Sequence, residues 1–216
     1  MEIEREKRQA AEEASELVED GMRVGLGTGT TVAFLLDALA RRAPKCVFVA
    51  SSPRTEVAAR ALGLNVQPFD DIARLDLAID GADQIAPDGW MIKGGGGAHT
   101  REKIVAAAAE RFVVIADSSK IVDALRPPVP LELSSFGLSA TLFELHECTV
   151  RVAPQSPDGG VLADFHGNVV VPWDLSRWLA QIPGVVAHGL FAPEMVSEHL
   201  VGTKNTVRHT IMGGTP

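Results

Sequence analysis

The chain has 216 residues, between one and two times the roughly 150 residues of an ordinary domain, so one large domain or a domain with an added lobe is expected. Apolar residues make up 46% and charged residues 22%, which excludes wholesale disorder and collagen-like repeats. Twenty Lys and Arg against 28 Asp and Glu give a formal charge of −8; with no basic run to offset it, neither nucleic acid nor a membrane surface is an expected partner.

Residues 2–19 place Ile3, Ala10, Ala11, Ala14, Leu17 and Val18 at mostly helical spacing among charges and stop at Asp20-Gly21, which predicts an amphipathic first helix. No apolar stretch follows the charged start, and no window approaches ~18 uninterrupted apolar residues, so a soluble cytoplasmic protein is expected. An apolar run over 22–26 leads through Gly27-Thr28-Gly29-Thr30-Thr31 into a helical pattern, giving a strand, a glycine turn and a helix. The alternation continues with strand 46–50, helix 54–62, an extended piece 64–68, strand 76–79, helix 101–110 and strand 112–116. Strands separated by helices predict an α/β fold, a Rossmann-like parallel sheet with helices on both faces.

Arg126-Pro127-Pro128 breaks this rhythm. Beyond it, strand 130–133, helix 138–146, strands 148–152, 161–164 and 169–171, helix 175–181 and strand 185–190 predict a smaller α+β lobe of ferredoxin-like βαββαβ order. The expected division is a catalytic domain over 1–128 and 199–216 and a lobe over 129–198, with a last strand at 207–212 returning to the main sheet. Cys46 and Cys148 form no CxxC and no Cys/His cluster, so free thiols are expected rather than a disulfide or a zinc site.

Several segments carry chemistry. In Gly25-Leu26-Gly27-Thr28-Gly29-Thr30-Thr31 the glycines let a ligand approach the backbone, and a helix N-terminus with three hydroxyls offers donors to a phosphate. The Gly-Lys-Ser/Thr of a Walker loop is missing. Thr30 takes the place of the dinucleotide fingerprint's last glycine, and Ala50-Ser51-Ser52 supplies no acid for a ribose, which disfavours a nicotinamide-dependent dehydrogenase. Asp80-Gly81-Ala82-Asp83 follows the apolar strand Leu77-Ala78-Ile79, just beyond the carboxyl end where open α/β sheets bind ligands. Two carboxylates three positions apart can face the same way, and held close they do not ionise independently, which poises one for proton transfer.

Lys93-Gly94-Gly95-Gly96-Gly97 precedes a helix expected to start near Thr100, and consecutive amides beside a lysine suit an oxyanion or sugar hydroxyls. Glu102, in that helix's first turn, is placed to point back as a base. Lys120 follows the strand that ends near Ala116, and Lys7 is one of several charges on the first helix. Each segment also has an ordinary reading: a threonine-capped turn, an Asp-Gly turn, a glutamate complementing a helix dipole, a solvated lysine. The six histidines show no metal-ligand spacing.

These blocks, in this order, together with Ala116-Asp117-Ser118-Ser119-Lys120, Pro183-Gly184-Val185-Val186 and His188-Gly189-Leu190-Phe191, resemble the type A ribose-5-phosphate isomerases over nearly the whole chain. The resemblance implies interconversion of ribose 5-phosphate and ribulose 5-phosphate without metal or organic cofactor, in a homodimer or homotetramer. It implies Glu102 as the base moving a proton between C1 and C2, and Asp80 and Asp83 as the pair handling ring opening and hydroxyl protons. Lys93 and the amides of Gly94, Gly95 and Gly96 would steady the oxyanion. Thr28, Gly29, Thr30, Thr31, Lys120 and Lys7 would bind substrate, chiefly its phosphate, with Gly81 and Ala82 lining the sugar. Thr30 stands where the family has serine, Gln84 where it has glutamate, and residues 163–168 replace its usual Thr-Asp-Asn-Gly-Asn stretch. A non-catalytic sugar-phosphate sensor of the same fold is the alternative.

Overall fold

The apolar stripe of the first helix, α1 (Glu2–Ser15), buries Ala10, Ala11 and Ala14, and the computed structural model describes the chain from there to residue 212. Met1 and residues 213–216 of the expected 199–216 segment lie outside the described residues. The helix ends four residues earlier than its pattern suggests. Ser15 donates its hydroxyl to the Glu12 carbonyl, and tighter bonds such as Leu17 N–H to Ala14 O close the last turn.

Strand β1 (Arg23–Leu26), helix α2 (Thr30–Arg42), strand β2 (Val47–Ala50), helix α3 (Pro53–Ala61) and strand β3 (Leu75–Gly81) follow. Short strands β4 (Gln84–Ile85) and β5 (Met91–Ile92) precede helix α4 (His99–Ala108) and strand β6 (Ala109–Asp117). The chain continues through β7 (Val129–Leu133), α5 (Leu138–Leu145), β8 (Cys148–Val150), β9 (Val161–Phe165), α6 (Pro172–Gln181), β10 (Val185–His188) and β11 (Leu190–Phe191). It closes with β12 (Glu198–Gly202) and β13 (Val207–Ile211). These elements form two compact units. Met1–Ala82, Arg101–Ile121 and Glu194–Pro216 make the first; Asp83–Thr100 and Val122–Pro193 make the second.

The first unit is a six-stranded sheet in the order β13-β12-β6-β3-β1-β2, parallel except for β13, which pairs antiparallel at the edge. Val24 and Leu26 turn into a core shared with Ala10, Ala14, Leu35 and Leu39 of α1 and α2. Gly25 turns the other way, where an added Cβ would fall 2.4 Å from Val105 of α4, so helices cover both faces. Its strands are accordingly buried runs rather than alternating ones. The expected return of the last strand is met by β13. The extended piece at 64–68 is reduced to one bridge between Phe48 and Val66.

The second unit holds a four-stranded antiparallel sheet, β10-β7-β9-β8, and a three-stranded sheet, β11-β5-β4. The order β7-α5-β8-β9-α6-β10 is the expected βαββαβ lobe. Four of its predicted elements differ by two residues or more, α6 among them because it starts at Pro172 rather than at 175. No strand forms over 169–171: Val171 is the extended N-cap before Pro172 at the first turn of α6, and the segment joins none of the sheets. β8 stops at Val150, two residues short of the expected end, although Arg151 N–H still bonds the Leu162 carbonyl. Residues 185–190 are not one strand but two in different sheets, divided at Gly189, whose N–H bonds Pro130 O while its carbonyl takes Lys93 N–H. A Cβ on Gly189 would lie 2.2 Å from the Lys93 carbonyl oxygen, so the crossover requires glycine there.

Candidate active site

In the first unit the threonine loop is built onto β3. Asp80 is the penultimate residue of β3, not a residue beyond it, since pairing with β6 continues through Gly81. Its Oδ1 accepts the Thr28 N–H at 3.0 Å and the Gly81 N–H at 2.7 Å. Gly27 makes this possible: a Cβ there would fall 1.8 Å from Asp80 Oδ1. The Thr28 hydroxyl accepts from Ser52 at 3.0 Å, and Thr55 donates to the Gly27 carbonyl at 2.9 Å, so the segment after β2 braces the loop.

Helix α2 is capped by Gly29, at φ 113°, with no side-chain cap bond. The threonine-capped turn is therefore not what the segment forms, and its hydroxyls serve elsewhere. Lys7 Nζ donates to the Thr30 hydroxyl at 2.9 Å. Its neighbour Glu6, 3% exposed, accepts the Ser118 N–H at 3.0 Å and the Ser118 hydroxyl at 2.6 Å. That ties to α1 the short turn Ser118–Lys120, which carries Lys120. Lys7, Thr28, Thr30, Asp80 and the Lys120 turn thus belong to one bonded assembly, with positive charge beside the uncapped start of α2. Glu102 is also in this unit, in the first turn of α4 and only 4% exposed. Burial lowers the neighbouring Lys103 amine to about 7.

In the second unit Lys93 is buried and its Nζ lies 5.4 Å from the centroid of the Phe191 ring. The next residues make a turn, Gly97 N–H to Gly94 O at 3.0 Å, with Gly94 at φ 107° and Gly97 at φ 76°. Only glycine enters that conformation without strain. Gly95 N–H donates to Asp83 Oδ2 at 2.8 Å, so of the three amides beside Lys93 that of Gly95 holds a carboxylate. Asp83 N–H in turn bonds the Ile92 carbonyl at 2.8 Å.

Sequence reasoning missed the supports of this loop. Arg151 reaches the Gly94 carbonyl at 3.0 Å. Glu132, 2% exposed, accepts from Thr100 at the start of α4 and from Ser156, each at 2.5 Å. The signal for Glu132 was a lone charge between Leu131 and Leu133, since a buried carboxylate requires partners. Among the described residues no group of three His, Cys, Asp or Glu side chains is placed to hold a metal ion, and no helix is long and apolar enough to cross a membrane.

Residues 47–206 match the ribose 5-phosphate isomerase A (phosphoriboisomerase A) family. The ribose-5-phosphate isomerase A of Nitrobacter hamburgensis is 45% identical over 205 residues, covering 86% of this chain and 88% of that protein. That of Gluconobacter oxydans is 41% identical over 220 residues, covering 94% and 95%. The crystal structure of ribose 5 phosphate isomerase A from Neisseria gonorrhoeae superposes with a TM-score of 0.91 at 33% identity, over 95% of this chain and 96% of the other. With the motifs, the fold and relatives of nearly full length in agreement, the chain belongs to the ribose 5-phosphate isomerase A family of aldose–ketose isomerases.

Proposed function

We propose that the chain interconverts D-ribose 5-phosphate and D-ribulose 5-phosphate through an enediolate, a step of the non-oxidative pentose phosphate pathway, with Glu102 as the base. The observation that carries the assignment of residues is the burial of three charged side chains in the motif segments: Asp80 and Lys93 are 3% exposed and Glu102 4%. Taking a charge out of water costs several kcal/mol, a cost that a site for moving protons has reason to bear.

In the forward direction the Glu102 carboxylate takes the proton from C2 of the open-chain sugar. The C–H electron pair becomes the C1–C2 double bond, and the carbonyl pair moves onto O1. Lys93 with the Gly94 and Gly96 amides stabilises that oxyanion as it forms. The Glu102 carboxyl, its proton exchanging with solvent in the enediolate complex, then protonates C1, and transfer of the O2 proton to O1 gives the ketose. Asp80 and Asp83 handle ring opening and the hydroxyl protons, with Gly81 and Ala82 between them along the sugar. Thr28, Gly29, Thr30, Thr31, Lys7 and Lys120 take the phosphate, which the uncapped start of α2 also attracts. A solved D-ribose-5-phosphate isomerase in complex with phospho-erythronic acid, 31% identical with a TM-score of 0.92, supports a phosphorylated sugar acid or sugar as the ligand class.

The free thiols Cys46 and Cys148 support a cytoplasmic setting. The exposed Phe136 and Phe143 support assembly into a homodimer or homotetramer. A coupled assay of purified protein on ribose 5-phosphate, without added metal, tests the function. Turnover is expected, with Glu102→Gln lowering kcat by about 10²–10⁴-fold, the usual contribution of a positioned base. Near-normal kcat in that variant would remove Glu102 from the mechanism, and tight binding of substrate without turnover by wild type would favour the sensor.

A further inference from the structure

We propose that Arg151, locked by Asp164, sets the peptide planes of the Gly94–Gly95–Gly96 loop and is a positioning residue for the isomerisation; this rests on the function proposed above. Arg151 lies just past the last paired residue of β8. Its Nε donates to Asp164 Oδ2 at 2.8 Å and its Nη2 to Oδ1 at 2.6 Å. Two parallel bonds fix the guanidinium in its plane as one bond would not. The pair is largely withdrawn from water, at 17% and 20% exposure. The remaining edge of the fork, Nη1, donates to the Gly94 carbonyl at 3.0 Å and reaches the Gly95 carbonyl at 3.4 Å.

A peptide is planar and its carbonyl points opposite to the following N–H. Holding the Gly94 oxygen therefore aims the Gly95 N–H, which donates to Asp83 at 2.8 Å. Holding the Gly95 oxygen aims the Gly96 N–H, the amide assigned to the oxyanion. One guanidinium thus orients both the amide that holds an acid–base carboxylate and the amide that meets developing charge. A run of glycines needs such a support, because glycine has the weakest preference of its own for any one backbone conformation. A cation on the carbonyl side also polarises both peptides toward stronger donation.

A role confined to bracing β8 and β9 would lower stability and leave the chemistry of the folded enzyme alone. The test is steady-state kinetics of Arg151→Ala, Arg151→Lys and Asp164→Asn beside wild type, with melting temperatures, with and without guanidinium ion at non-denaturing concentration. For Arg151→Ala, kcat is expected to fall by about 10²-fold, near the loss seen when an oxyanion donor is removed. KM is expected to stay within about threefold, as for an interaction made chiefly in the transition state. Added guanidinium is expected to restore at least about tenfold of the lost kcat in Arg151→Ala and none in Asp164→Asn, where the arginine is present but unlocked. Arg151→Lys, which cannot fork to both partners, is expected to stay near Arg151→Ala. A kcat within about threefold of wild type in Arg151→Ala or Asp164→Asn would overturn the proposal. So would a loss that follows the melting temperature alone and that guanidinium does not relieve. Failure of wild type to turn over ribose 5-phosphate would instead count against the function itself.

Discussion

Gly27 and Asp80 share a space that fits only one side chain. With 1.8 Å between an added Cβ and Asp80 Oδ1, Gly27→Ala must displace the carboxylate and break its bonds to the Thr28 and Gly81 amides. Overpacking of this kind costs about 1–3 kcal/mol. Gly27→Ala is therefore expected to lower unfolding free energy by that amount in urea titration and to reduce kcat more than the stability loss explains. A variant with wild-type kcat would show that Asp80 does not need this position. Blocks such as those holding Thr28, Lys93 and Glu102 stand out in the sequence because the chemistry proposed for each is local: glycines, a strand end, a helix start. Arg151 does not, because its partners Asp164 and Gly94 lie 13 and 57 positions away. Glu132 and Thr100 are likewise 32 apart. Nothing within such a stretch of chain names the other end of the bond.

Among the elements, β12 shows how placement overrides pattern. Its sequence, Glu-His-Leu-Val-Gly, has two ionisable residues in five, and no strand is predicted over it, yet all five positions are buried between β6 and β13. Glu198 is reconciled to this place by partners. Burial alone pushes its carboxyl up, but hydrogen bonds from Arg111 and His209 outweigh burial and hold it below the ordinary 4.5. His199 is depressed from 6.5 by burial. Both shifts lower the stability of the folded state on acidification. The unfolded chain takes a proton at the His199 position as pH falls below 6.5 while the folded chain resists, and it does so again at Glu198 below 4.5. Stability is therefore expected to fall in two stages on acidification, with on the order of 2–4 °C in melting temperature per kcal/mol lost. Circular dichroism melts between pH 8 and 4 check this. His199→Leu is expected to flatten the first stage and Glu198→Gln the second, and unchanged profiles in both would locate the acid sensitivity elsewhere. The predicted strand over 169–171 failed for a related reason: valines favour extended backbone, and Val171 is extended, but the segment pairs with no neighbouring strand.

For the whole molecule, the alternation of strands and helices made the parallel sheet legible, and the break at Arg126-Pro127-Pro128 marked the change to the lobe's rhythm. The interleaving of the units was harder to read. Asp83–Thr100 belongs with Val122–Pro193, although its first boundary falls inside the Asp80-Gly81-Ala82-Asp83 block and its last just inside helix α4. The net charge of −8 describes the surface as a whole and leaves room for a local site, since Lys7, Thr30 and the uncapped start of α2 gather positive potential at one loop. The proposed chemistry is proton transfer through an enediolate by a carboxylate on α4, and NMR of ribose 5-phosphate turned over in D₂O discriminates it from a transfer that bypasses Glu102. Wild type is expected to yield ribulose 5-phosphate carrying solvent deuterium at C1, with Glu102→Gln yielding almost none in the same time. Product without solvent deuterium at C1, or labelled product at an equal rate from Glu102→Gln, would contradict it.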